Sequence, residues 1–169
     1  MGKILFAEKE GVFVLKFVGD VRVTLGPTIS TFLDNIGKCT SFKAVIIDLT
    51  QTEAIDSTSL GMLAKISLRT QDAFGKMPTV VSTNEDITRL LMTVGFDEVF
   101  VIVTESFTTE AALLEMPEEC VSEANLRDQV IEAHRVLMGL NEKNRSDFQD
   151  LVTALEEERA FGASHSLAS

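Results

Sequence analysis

Asp56-Ser57-Thr58-Ser59-Leu60-Gly61 is the stretch of this chain whose residue types could do chemistry with neither a metal nor a cofactor. An apolar run from Ala44 to Leu49 leads through a short polar loop into it, and a helical pattern follows. The spacing places a serine hydroxyl at a helix N-terminus, where unpaired backbone N–H groups and the positive end of the helix dipole favour an anion. A phosphate added to Ser57 would change the local charge by roughly −2. Asp and Ser are also favoured helix caps, so the same residues fit an ordinary helix start. What separates the two readings is the context: a crossover loop at the C-terminal end of a strand, where αβ folds carry their sites.

Other chemistry finds little support. His134 and His165 are the only histidines, and neither lies near Ser57 in sequence. The GxSxG nucleophile elbow and the GxxxxGK[ST] phosphate loop are both absent. Asp48 reads as a support for the loop through accepted hydrogen bonds, rather than as one of a metal pair with Asp56. Cys39 and Cys120 show no metal spacing and no CxxC, and read as idle thiols in a reducing compartment. The run Glu156-Glu157-Glu158 reads as a solvated face. No catalytic residue, metal ligand or cofactor is assigned, and a non-enzymatic protein is expected. A net charge of −11 argues against nucleic acid as a direct partner, because neutralising phosphates takes a basic face. No apolar run approaches the roughly 20 residues of a membrane helix, and the N-terminus does not read as a secretory signal. A cytoplasmic protein without a membrane partner is expected.

The elements that must position Ser57 follow from the pattern. Ile4–Phe6 and Val12–Phe17 read as two strands, the second closed by the turn residues Gly19-Asp20. A helix is expected from about Pro27, with Ile29, Phe32, Leu33 and Ile36 on one face and Gly37 at its end. Ala44–Leu49 reads as a strand buried on both faces. A helix from Ser57 to Phe74 stops at Gly75; a strand at Thr79–Val81 and a helix over residues 84–94 come next. A strand at Val99–Val103 and a short helix over Ser106–Leu114 complete the order ββαβαβαβα. The expected fold class is α/β, a mixed sheet with parallel crossovers and helices packed on it.

Residues 118–160 have another character, with 11 acidic and 5 basic side chains and no strand-like runs. Leu126, Val130, Ala133, Leu137 and Leu140 form a narrow coiled-coil seam, and Ser146-Asp147-Phe148-Gln149 resembles a capping box. Phe148, Leu151, Val152 and Leu155 make a second stripe. The pattern fits an α-helical hairpin or one long bent helix, packed on the domain or pairing with a second copy in a homodimer. The division is thus 1–116 for the domain, 117–161 for the helical extension and 162–169 for a disordered tail.

On the helix from Ser57, the residues Leu60, Leu63, Ala64, Ser67 and Phe74 should face the sheet. Met62 and Ile66 lie elsewhere, beside Lys65 and Arg69. A helix on one side of a sheet needs one apolar stripe. The second patch is either a docking surface or the seat of another helix, and a cover that a partner displaces would be both.

The apolar strand, Asp48-Leu49-Thr50, a short loop and then Asp56-Ser57-Thr58-Ser59-Leu60-Gly61 together resemble the signature of STAS domains, specifically the bacterial anti-sigma factor antagonists. The element order over residues 1 to about 115 is similar to theirs, and Gly19-Asp20-Val21-Arg22 resembles a turn of the family, with Arg22 departing from its pattern. The extension after Pro117 looks like the extended proteobacterial type. The resemblance implies a STAS fold and phosphorylation of Ser57 by an anti-sigma kinase, with Thr58 as the secondary position. It also implies removal of the phosphate by a PP2C-type phosphatase, in the extended type part of a response regulator. It makes Asp56, Ser59 and Gly61 the phosphosite loop. Asp20, Arg22, Met62, Lys65, Ile66 and Arg69 are the expected partner surface. The unphosphorylated form would sequester an anti-sigma factor or a related regulator. The alternative is a scaffold subunit of a larger assembly, with Ser57 only a cap.

Overall fold

The computed structural model describes residues 2–38, 41–105, 114–116 and 123–168. Strands β1 (Lys3–Lys9) and β2 (Val12–Val21) form an antiparallel hairpin. Glu10 and Gly11 turn it, with φ of 53° and 86°. Positive φ at both turn residues matches the right-handed twist of the flanking strands. A short 3-10 turn at Val23–Leu25 leads into α1 (Gly26–Ile36), and β3 (Ala44–Ile55) then returns parallel to β2. Helix α2 (Ser57–Phe74), β4 (Thr79–Val81), α3 (Glu85–Thr93) and β5 (Val101–Val103) add two more parallel crossovers. Leu114–Glu115 is β6, antiparallel to β1, and the six strands lie in the order β5-β4-β3-β2-β1-β6.

The sheet buries one face under helices. Leu15 and Phe17 of β2 and Val45, Ile47 and Leu49 of β3 alternate toward it and pack with Ile29 and Phe32 of α1 and Leu60 and Leu63 of α2. Ala44, Ile46 and Asp48, on the opposite face of β3, are half-buried. The strand is therefore covered fully on one side only, contrary to the expectation from its continuous apolar run.

Four further boundaries differ from the sequence expectation. Gly19-Asp20 does not end β2; the strand runs on to Val21 through an irregularity in register, with Gly19 at φ 81°. The polar segment Thr50–Ile55 is not a loop but the second half of β3, paired with β2 alone because β4 stops opposite Asp48. Val99 and Phe100 belong to a tight turn rather than to β5, and both are buried. Leu114 is in a strand, not a helix, while residues 106–113 of that expected helix lie outside the described residues, as do Cys39 and Cys120.

The extension forms a helical hairpin, α4 (Glu123–Met138) and α5 (Glu142–Ala168). Helix α5 starts four residues before Ser146: Asn141 caps it, its Oδ1 accepting from the Asn144 N–H at 2.8 Å. Of the second stripe Val152 is buried, but Leu151 faces solvent. The helical backbone continues through 162–168, the stretch read from sequence as a disordered tail. The hairpin packs on the domain through α4 against α2, burying Ala133 and Leu137 in the same core as Met62 and Ile66.

Candidate functional site

Ser57 is the first residue of α2, and the cap before it is Asp56. The Asp56 carboxylate divides its acceptance: Oδ1 takes the Ser59 N–H at 2.7 Å and Oδ2 the Val23 N–H at 2.9 Å. One side chain thereby satisfies an orphan donor of the helix and ties α2 to the turn before α1. The Ser57 hydroxyl is left out of the capping. Asp48 accepts from both the N–H and the hydroxyl of Thr50, so it braces β3 just before the polar half of the strand.

The hydroxyl of Ser57 lies 2.8 Å from Nε2 of His134, which comes from α4 and is 77 positions away in the chain. The other ring nitrogen, Nδ1, is 2.7 Å from the Val130 carbonyl. A carbonyl can only accept, so Nδ1 carries a proton, and in the neutral ring Nε2 accepts from the Ser57 O–H. The ring packs edge-on to Phe148 of α5 with centroids 5.0 Å apart, and the residue is 1% exposed. Sequence distance hid this pair. The available signal was a histidine directly beside Ala133 in the seam of α4, where a polar side chain must be buried against something.

Helices α2 and α4 touch at Gly61 and Ala133. A methyl group on Gly61 would lie 2.7 Å from the Ala133 Cβ and collide with the Ala133 carbonyl, so only glycine permits this approach. Lys65, one turn further on, pairs with Glu132 at 2.7 Å. Consecutive helical residues point about 100° apart, and Ser57 and Lys65 are about 12 Å apart along α2. Glu132 and His134, on either side of Ala133 in sequence, reach Lys65 and Ser57 respectively.

The expected partner surface divides accordingly. Met62 is 1% exposed and Ile66 fully buried, both in the core that Ala133 and Leu137 of α4 join. Lys65 is half-buried and engaged, whereas Arg69 is exposed. Asp20 and the exposed Arg22 form an ion pair of 3.6 Å near the start of the site. Thr58 and Ser59 are buried, and the Ser59 hydroxyl has no hydrogen-bond partner. Ser57, half-buried, is thus the more accessible of the two candidate phosphate acceptors.

A surface hollow of about 550 Å³ opens nearby, lined by Val18, Gly19, Thr50, Gln51, Thr52, Glu53 and Asn84. Those residues include an acid and no cation, a poor match for a nucleotide's phosphates. Among the described residues no group of three His, Cys, Asp or Glu side chains could hold a metal ion, and no helix is long and apolar enough to cross a membrane.

A mixed sheet with parallel crossovers and an Asp-Ser pair heading the helix after its longest strand defines a recognisable class of small α/β domain. Residues 3–113 match the STAS domain family, and the chain belongs to it. Two solved structures share the fold. An anti-sigma factor antagonist from Mycobacterium paratuberculosis is 22% identical, with a TM-score of 0.53 over 62% of this chain and 87% of its own. A Thermotoga maritima protein described as a candidate anti-sigma factor antagonist is 20% identical, with a TM-score of 0.52 over 60% of this chain and 86% of its own. No curated protein matches the chain at a significant level.

Proposed function

We propose that this protein is an anti-sigma factor antagonist: a cytoplasmic, non-enzymatic binding protein controlled by phosphorylation of Ser57. Unphosphorylated, it sequesters an anti-sigma factor or a related regulator and so releases a sigma factor. A serine kinase, which the anti-sigma factor itself can be, modifies Ser57, and a PP2C-type phosphatase reverses the step. The observation that carries this reading is the position of the Ser57 hydroxyl, first in α2 yet spared from capping by Asp56. A phosphate there adds charge and hydration that a docking partner would have to strip away. Only a difference in affinity between the two forms makes a switch. The fold shared with antagonist structures supports the same reading.

The test is phosphate transfer by the cognate kinase followed by mapping of the modified residue. Ser57 should carry the phosphate, and Ser57→Ala should accept none. Modification elsewhere, with Ser57→Ala still a substrate, would sink the assignment. Ser57→Asp should weaken capture of the anti-sigma factor by tenfold or more, an energy of about 1.4 kcal/mol.

The hydrogen bond between Ser57 and His134 favours a second reading, a scaffold subunit in which the hydroxyl only fastens α4. Under it, Ser57→Ala loosens the extension and leaves partner binding without phosphate control.

A further inference from the structure

Building on that role for Ser57, we propose that the α4–α5 hairpin is an occluding arm, latched by His134, whose docking and Ser57 phosphorylation exclude each other. The arm occupies the surface a partner of α2 would need. Met62 and Ile66 share a buried core with Ala133 and Leu137 of the arm, and Lys65 is paired to Glu132. The phosphate acceptor itself donates to the arm in its neutral-ring arrangement. A kinase must draw several residues around the acceptor into its cleft, and here Thr58 and Ser59 are buried.

Phosphate does not fit the docked arrangement. It brings three oxygens and a charge near −2 to a point faced by one imidazole. That imidazole is fixed on its far side by the Val130 carbonyl and flanked by the Phe148 ring. The adjoining residue is Asp56, whose carboxylate is already committed to two backbone donors. His134 Nε2 reaches only one of the three phosphate oxygens, and closing the arm over the others removes water that would solvate their charge. A slight retreat of α4 to make room gives up the close approach of Gly61 to the Ala133 backbone. The closed form therefore neither binds nor is modified. The open, unmodified form does both; once added, the phosphate holds the arm off and itself bars the partner from α2. The apparent affinity for any partner of α2 is reduced by the open fraction.

Hydrogen exchange on the full chain tests this with no kinase involved. In protein carrying phosphoserine at position 57, amides of α4 and of α2 up to Ile66 should exchange at least about tenfold faster than in unmodified protein, while β2 and β3 stay protected. Unchanged or increased protection of α4 would overturn the proposal. Ala133→Leu, which changes the arm alone, should open the unmodified protein in the same way and raise the rate of phosphate transfer to Ser57 by about tenfold. A variant that opens by exchange yet is modified no faster would also overturn it. Failure of any form to take phosphate at Ser57 would instead strike the proposed function, and the phosphoserine exchange result would still decide for or against the arm.

Discussion

Phe17, Ile47 and Leu49 are shielded completely by strands and helices of the domain, whereas Ala133 and Leu137 of the hairpin reach the same burial only by leaning on α2. The two helices of the hairpin bury Ile131 and Val152 apart from the main core and set Phe148 against His134, with ion pairs along their rims. Arg127 pairs with Glu158, Arg159 with Asp128 and Arg135 with Glu156, and each pair includes an exposed partner. Pairs of that kind contribute about 0–1 kcal/mol each and weaken with salt. The domain thus has a large core of its own, while the hairpin buries little apart from it and places Ala133 and Leu137 in the domain's core. An element held in that way can leave without unfolding what it leaves.

The comparison can be broken from the domain side first. Phe17→Ala should destabilise by about 3–5 kcal/mol in chemical denaturation, and the hairpin should melt with the domain. Survival of helical signal from residues 123–161 at its original midpoint would show that the hairpin has a core of its own. A smaller and opposite effect is expected from Asn144→Ala. Its side-chain amide donates to the Val94 carbonyl at 2.9 Å and to the Leu137 carbonyl at 2.8 Å, pinning the hairpin turn to the end of α3. Losing both bonds should cost about 2–3 kcal/mol of hairpin docking. Amide exchange should quicken in α4 and α5 and stay slow in β2 and β3.

Asp56→Ala comes next, at about 1–2 kcal/mol, because it strands the Ser59 and Val23 N–H groups. It should lower the thermal midpoint of the domain, and no change would mean that another acceptor takes over the cap. The smallest effect belongs to Arg127→Ala with Arg159→Ala, under about 1 kcal/mol for each lost pair. The loss should fade at about 1 M salt, where charges are screened within about 3 Å. A loss insensitive to salt would mean that the arginine stems, rather than their charges, hold α5.

Helix α2 was legible to its ends because Asp56 and Gly75 are strong terminal signals; Gly75 sits at φ 66°, where a side chain would be strained. Strand β4 and the body of α3 were equally clear. The second half of β3 was not, since Gln51 and Glu53 point to solvent and only β2 pairs with it. A polar strand with one neighbour has the composition of a loop. The start of α5 was missed because Ser146 looked like a cap, whereas the cap is Asn141, at a turn that Asn144 pins to the end of α3. At the site, Ser57, its aspartate and the unusual second patch of α2 could all be read locally. That α4 packs on this helix within one chain, with His134 on Ser57, depends on a contact spanning 77 positions, which no local pattern encodes.

The meeting of Gly61 with Ala133 sets how any such release must proceed. Where side chains interdigitate, rotamers can turn and absorb a disturbance by degrees. Two main chains in contact have no rotamer to turn, so a small retreat loses the close fit altogether. Departure of the extension from α2 should therefore be abrupt, and a graded stimulus would change how many molecules have let go rather than how far each has moved.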